Sequence, residues 1–204
     1  MKKPRLGFLS SHGGSNMQAI IDACKEGRLD AETAVVISNN SDSTSLERAR
    51  REGIPSYHLS SQTHPDPEQL DAAILRALQE HEVDLVILAG YMKLLGPQTL
   101  KRYRGRIFNI HPALLPKFGG RGLYGRKAHE AVLAAGEKVT GVTIHLVDER
   151  YDRGPIVAQC RVPVVEGDTP DSLAARVLEH EHQLYAETLQ KVIQGEIDLK
   201  AFYP

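Results

Sequence analysis

Two short segments carry side chains whose types and spacing could serve chemistry, one by stabilising an oxyanion and moving a proton, the other by holding an anion. One is Phe108-Asn109-Ile110-His111-Pro112. In an extended chain residues i and i+2 project to the same face, so Asn109 and His111 would stand side by side. An amide donor beside an imidazole suits a reaction that develops an oxyanion and moves a proton. Pro112 stops the strand, and strand carboxyl ends are where open α/β sheets place their ligands. The plainer alternative is that Asn109 satisfies loop backbone and His111 is structural. The other segment is Ser10-Ser11-His12-Gly13-Gly14-Ser15-Asn16. Its glycines permit a tight turn, and the free N–H groups of the helix that follows would point at a phosphate or carboxylate. The third glycine of the dinucleotide fingerprint and the Lys of a Walker loop are both absent. The alternative is a simple strand-to-helix turn capped by Ser15.

Carboxylates complete the inventory. The turn Asp148-Glu149-Arg150-Tyr151-Asp152-Arg153-Gly154-Pro155 offers one that would orient His111 and raise its pKa. Spacing leaves Asp148 and Asp152 as equal candidates, and Asp148 is equally well read as the cap of a solvated turn. Glu181 falls on the helical stripe Leu173, Val177, Leu184, Thr188, and a carboxylate on a core-facing stripe needs a partner, structural or ligand. Nine histidines raise the question of a metal, but His180 and His182 diverge on a helix and neither H-E-x-x-H nor paired C-x-x-C occurs. No metal is expected. The G-x-S-x-G elbow of serine hydrolases is absent too.

These groups need elements to hold them, and the chain alternates short apolar runs with amphipathic stretches in a βαβ rhythm. The pattern predicts strands over Leu6–Ser10, Thr33–Ser38, Pro55–Leu59, Leu85–Ala89, Ile107–Ile110, Thr140–Val147 and Ile156–Pro163. It predicts helices over Asn16–Glu26, Ser45–Glu52, Pro67–Glu80, Pro97–Tyr103, Lys127–Ala135 and Pro170–Ile193. Met17, Ile20, Ile21 and Cys24 form the core stripe of the first helix. Pro67 suits the first turn of the third, with Leu70, Ile74 and Leu78 behind it. Thr169-Pro170-Asp171 reads as a cap, an N1 proline and an acid at the positive end of the last helix. The early strands are solidly apolar, as strands covered on both faces are. Thr140–Val147 and Arg161–Val165 alternate more, predicting a mixed or antiparallel edge. The segment from Pro112 to Arg126, rich in proline and glycine, is a long loop of the kind that is usually functional.

The composition is that of one ordinary folded domain. The chain has 204 residues, 41% hydrophobic and 25% charged, which excludes disordered and fibrous classes. Lys and Arg number 25 against 26 Asp and Glu, a formal charge of −1 that gives no reason to expect nucleic acid or a membrane surface. Cys24 and Cys160 offer no disulfide framework and suit a reducing compartment. The N-terminal apolar run Leu6–Leu9 is too short for a secretory signal, and Leu85–Met92 is far below a membrane span. A soluble, cytoplasmic single domain over residues 1–204 is expected.

Taken together, these segments resemble the phosphoribosylglycinamide formyltransferases, folate-dependent enzymes of purine synthesis. The resemblance is carried by Gly14-Ser15-Asn16, Leu46-Glu47-Arg48-Ala49-Arg50, Leu88-Ala89-Gly90-Tyr91-Met92, Asn109-Ile110-His111-Pro112-Ala113-Leu114-Leu115-Pro116 and Asp152-Arg153-Gly154-Pro155. It runs on through Asp168 and Ala175-Arg176-Val177 to Glu181-His182, covering essentially the whole chain. It implies a Rossmann-like, mostly parallel sheet flanked by helices, with a mixed or antiparallel C-terminal edge. The N-terminal half would hold the ribonucleotide phosphate, and the C-terminal half the folate site and catalytic loop. Gly14, Ser15 and Asn16 would bind that phosphate and Glu181 the sugar. Asn109 and His111 would face the formyl carbon, with a protonated His111 as proton donor and Asp152 raising its pKa. Leu88, Met92, Lys93, Leu94, Leu95, Asn109 and Asp148 would cradle the folate.

The implied reaction moves the formyl group of 10-formyltetrahydrofolate to the amine of 5′-phosphoribosylglycinamide, with no metal and only small-molecule partners, in a monomer or homodimer. Pro67 falls near a position where many members carry a basic residue. Arg121, in an enlarged Phe118–Gly125 loop, or Arg126 just beyond it is the expected substitute. Formyltetrahydrofolate hydrolases share the Asn-His-Asp set but carry a regulatory domain before it, and only Met1–Arg5 precedes the first strand here. A non-catalytic folate or nucleotide binder is the alternative from a different class.

Overall fold

A computed structural model describes residues 2–203; Met1 and Pro204, the ends of the expected domain, lie outside the described residues. Seven strands form one sheet in the order β3-β2-β1-β4-β5-β6-β7. They are β1 (Arg5–Leu9), β2 (Glu32–Ser38), β3 (Ser56–His58), β4 (Leu85–Leu88), β5 (Ile107–His111), β6 (Val139–Leu146) and β7 (Ile156–Pro163). The first five run parallel, whereas β6 and β7 are antiparallel to their neighbours. Six helices accompany them: α1 (Ser15–Lys25), α2 (Thr44–Arg51), α3 (Pro67–Glu80), α4 (Pro97–Arg102), α5 (Arg126–Ala134) and α6 (Pro170–Ile193). Each predicted element is present with ends that shift by a residue or so, as frayed termini do. A 3-10 turn at Leu199–Phe202 is additional.

The apolar strands are explained by a core on both faces of the sheet. Leu85 and Ile87 of β4 join one cluster, with Met17 and Ile20 of α1 and Val177 and Leu189 of α6. Val86 and Leu88, pointing the other way, join a second cluster with Ile74 and Leu78 of α3 and Tyr103 at the end of α4. Alternation of side chains along β4 therefore feeds two apolar layers, and no position of that strand is left for a polar face. The alternating pattern of β6 has a different origin from the one its sequence suggests. β6 is buried along nearly its whole length, and the exposed positions fall on β7, the edge strand beside it.

Helix ends follow local chemistry. Asp66 caps α3 by accepting from the Glu68 N–H, with Pro67 in the first turn. Thr169 and Ser172 form a reciprocal capping box at α6. The start of α1 differs: Gly14 is the N-cap, at φ 67°, and no side chain caps the helix. Ser15 is therefore not the cap that a plain turn would use.

Strand order reverses between β1, which leads outward to β2 and β3, and β4, which leads to β5. Loops leaving neighbouring strands at such a switch point diverge and leave a crevice.

Candidate active site

The crevice is a cleft of about 660 Å³. Its walls come from Ser15 and Asn16 after β1, Gly90–Met92 after β4, Asn109–Pro112 at the end of β5, the 120–126 loop, and Glu181 of α6. The sequence-predicted groups Ser15, Asn16, Met92, Asn109, His111, Asp152 and Glu181 thus meet in one place, although they span the chain.

On one side is the uncapped start of α1, with Gly14 left-handed and the first N–H groups unclaimed by any side chain. Arg48 of α2 braces this turn, its Nε donating to the Gly13 carbonyl at 2.9 Å. Asn16, 9% exposed, donates from Nδ2 to Glu181 Oε2 at 2.6 Å, while its Oδ1 has no hydrogen-bond partner among the described residues. Burial pushes the Glu181 carboxyl up to about 7, with the Asn16 bond pulling the other way. The stripe on α6 therefore carries a paired carboxylate whose open side faces the cleft.

Asn109, His111 and Asp152 stand on the other side. Asp152 sits at φ 53°, a left-handed position that Asp tolerates better than most residues. Behind it, a Cβ on Gly154 would come within 1.8 Å of the Leu146 carbonyl, so the turn lies against β6 in a way only glycine allows. Asp152 Oδ2 accepts from the Gly120 N–H at 2.9 Å and lies 3.5 Å from His111 Nδ1. Its Oδ1 lies 3.4 Å from Nε2 of His145, a β6 residue buried at 2% exposure. His145 Nε2 in turn lies 3.1 Å from Asn109 Nδ2. His111 Nε2 donates to the Phe118 carbonyl at 2.8 Å.

Asp152 does raise the His111 pKa, as expected, but burial acts against it. Burial lowers the His111 pKa, and that effect outweighs the opposing pull of Asp152 and of the Phe118 carbonyl. The resting ring is neutral, with its proton on the nitrogen that faces Phe118. Burial also works on Asp152, pushing it up, but His145, His111 and the Gly120 N–H together hold it below the usual carboxylate range.

The other expected folate contacts are not among the residues that line this cleft. Asp148 accepts from the Arg150 N–H at 2.7 Å, as the cap of its turn, and does not join the His111 cluster. Leu88 and Leu95 are buried in the second core cluster at 5% and 6% exposure, because the apolar layer beneath β4 takes them. Lys93 and Leu94 line a separate hollow with Asn39, Ser60, Ser61 and Gln62. Of the two substitute cations, Arg126 is tied to Glu130 and Asp171. Arg121 lines the cleft and, among the described residues, forms no ion pair.

Three contributors are not anticipated from the sequence. His145 is the register partner of Asn109 across the antiparallel β5–β6 pair. Thr143, also on β6, donates to the Ala113 carbonyl at 2.7 Å and accepts from the Leu115 N–H at 3.0 Å, fixing the chain beyond His111. His129 of α5 lines the cleft at 3% exposure with its Nδ1 unpartnered. The only sequence signal for Thr143 and His145 is their i, i+2 spacing, which puts both on one face of β6.

Comparison with known proteins is consistent with this site. Residues 4–189 match the formyl transferase family model. The chain is 40% identical over 200 residues to the phosphoribosylglycinamide formyltransferase of Haemophilus influenzae, covering 98% of this chain and 91% of that protein. It is 43% identical to the chloroplastic phosphoribosylglycinamide formyltransferase of Vigna unguiculata over 97% of this chain, and spans 63% of that longer protein. Among solved structures, glycinamide ribonucleotide transformylase 1 from Symbiobacterium toebii superposes with a TM-score of 0.89 at 44% identity, covering 95% of this chain and 89% of that one. The match extends through the cleft-forming loops on both halves of the sheet, and the chain belongs to the phosphoribosylglycinamide formyltransferase family.

Proposed function

We propose that the cleft transfers the formyl group of 10-formyltetrahydrofolate to the amine of 5′-phosphoribosylglycinamide, a step of purine biosynthesis. One observation carries the reading. An uncapped helix start, suited to a phosphate, opens into the same cleft as the Asn109–His111–Asp152 cluster. A phosphorylated acceptor held at the first would present its far end to the second. The neutral charge balance and the two free cysteines suit a small-molecule enzyme of the reducing cytoplasm.

The step can be followed atom by atom. The acceptor amine attacks the formyl carbon, and the carbonyl electron pair moves to oxygen. Asn109 Nδ2–H and His111 Nε2–H are the donors available to that oxyanion. At rest the His111 Nε2–H is bonded to the Phe118 carbonyl and turns from it to the oxyanion as charge develops, whereas Asn109 keeps a second Nδ2–H for the cleft. A donor fixed before the charge forms, as Asn109 is, needs no reorganisation and contributes on the order of 100- to 1,000-fold. The amine has become an ammonium, and its proton must reach the folate N10 as the C–N10 bond breaks. The Asp152 carboxylate, ionised and 3.5 Å from His111, stabilises the positive charge while that proton moves. Glu181 and Asn16 position the sugar, and holding both substrates in one cleft makes the encounter effectively unimolecular. Arg121 is the cation available for an anionic end of either substrate.

The test mixes purified protein with both substrates and follows folate absorbance. Conversion that depends on the ribonucleotide and disappears in His111→Ala is expected. Deformylation at the same rate without ribonucleotide would overturn the reading in favour of a hydrolase. Binding of both ligands without turnover would overturn it in favour of a binder.

A further inference from the structure

We infer that His145 is a positioning residue that selects the catalytic orientation of the Asn109 amide. The inference rests on the oxyanion role proposed for Asn109 and begins with the bonding capacity of one buried ring. His145 Nδ1 lies 2.9 Å from the carbonyl oxygen of Leu146. A carbonyl only accepts, so Nδ1 carries a hydrogen. With that hydrogen on Nδ1, Nε2 is the nitrogen left to accept, and 3.1 Å away is Asn109 Nδ2. The amide nitrogen donates one of its two hydrogens to the Nε2 lone pair. Its second hydrogen is left for the cleft, which Asn109 lines.

The opposite amide orientation would set Oδ1 against the Nε2 lone pair, two acceptors in contact at a site where water is excluded. His145 is 2% exposed, so solvent cannot relieve that repulsion. A single backbone carbonyl, by fixing a tautomer, therefore fixes which end of Asn109 faces the ring. The pairing is built into the sheet, since Asn109 and His145 are directly opposite in the β5–β6 register. Asp152 Oδ1 also lies 3.4 Å from His145 Nε2, a longer approach that forms no hydrogen bond among the described residues, so the Asn109 amide and not the carboxylate is the hydrogen-bond partner of Nε2. His111, near the other carboxylate oxygen, has Nε2 engaged by Phe118 instead. The two histidines around Asp152 thus have separate tasks: His111 offers a proton to the reaction, whereas His145 offers a lone pair to Asn109.

Two variants and one spectrum test this. His145→Gln keeps an acceptor oxygen within reach of Asn109, and His145→Leu keeps bulk without an acceptor. The expected result is a fall in kcat on the order of 100-fold in His145→Leu, the worth of one misaimed oxyanion donor. KM for both substrates should stay within about threefold, since neither touches the ring, and His145→Gln should recover most of kcat. In the wild-type protein, ¹⁵N NMR of the imidazoles should show His145 protonated at Nδ1 and bare at Nε2. That spectrum needs no activity and no variant, so it can be read even if His145→Leu fails to fold. It also separates this inference from the proposed reaction: failure of formyl transfer in the wild type would leave the tautomer and the Asn109 contact measurable. Equal loss of kcat in the Leu and Gln variants, a loss that falls on KM, or a proton on Nε2 in the resting protein would each overturn the role.

Discussion

Glu181→Gln should stabilise the protein relative to wild type by an amount that grows as pH rises from about 4.5 to about 7 and then levels off. The wild-type carboxyl is 8% exposed, with Asn16 as its one hydrogen-bond partner among the described residues, and burial moves it from 4.5 to about 7. A folded-state pKa raised above the unfolded one contributes stability that is fully present below the unfolded value. That contribution is lost as pH rises through the folded value. A rise of this size corresponds to roughly 3 kcal/mol, at about 1.36 kcal/mol per unit. Gln has the same shape and keeps an oxygen for Asn16 Nδ2, but it does not ionise. The stability difference between the Gln variant and wild type should therefore widen by about 2–3 kcal/mol between about pH 5 and about pH 8.5. For a domain of this size that is on the order of 5–10 °C in Tm. Thermal melts of both proteins without ligand, at the two pH values, measure it directly. A difference that stays constant across pH, or a wild type that gains on the variant as pH rises through 7, would show that Glu181 ionises freely and that the desolvation argument is wrong.

Further outcomes follow from the same geometry. NMR titration of His111 should give a midpoint below 6.5, falling further in Asp152→Asn because the carboxylate supplies the chief upward pull; a midpoint above the ordinary value would contradict the neutral resting ring. Gly154→Ala should lower both Tm and kcat, because its Cβ would lie 1.8 Å from the Leu146 carbonyl and the shifted turn carries Asp152 with it; an unchanged crystal position for Asp152 would refute the coupling. Arg121→Ala should raise KM for one substrate about tenfold, the worth of a phosphate or carboxylate contact of about 1.4 kcal/mol. Arg126→Ala, whose charge Asp171 and Glu130 already occupy, should not; the reverse pattern would exchange their roles.

Much of the fold and of the cleft is legible in the amino-acid sequence, for physical reasons. β-strand period and apolar runs locate every strand, because the sheet is covered on both faces and Leu85–Leu88 has no polar position to blur it. Pro67 and Thr169-Pro170 mark helix starts through chemistry that is local by nature. Asn109 and His111 are visible as a pair because two-residue spacing in a strand is itself a geometric statement. Asp148 and Asp152 cannot be separated on that basis. Their difference arises from a left-handed backbone at Asp152 and a glycine pressed on β6, neither of which has a periodic signature.

What escapes the sequence is contact across strands and the balance of burial against charge. His145 lies far from Asn109 along the chain and meets it only through antiparallel register, so nothing local announces the pair. The protonation of His111 depends on the same missing information. A neighbouring aspartate argues for an imidazolium, and it does pull in that direction, but the ring is 3% exposed and desolvation is the larger effect. Sequence motifs report which charges are near one another, whereas the fold decides how dry they are. A dry, neutral His111 has a consequence for catalysis. It can offer a proton to a developing oxyanion without first competing with the acceptor amine for one, and the amine must be unprotonated to attack. Burial of this cluster thus lets the electrophilic donor and the nucleophile be ready at the same pH, which an exposed His–Asp pair with a raised pKa would not.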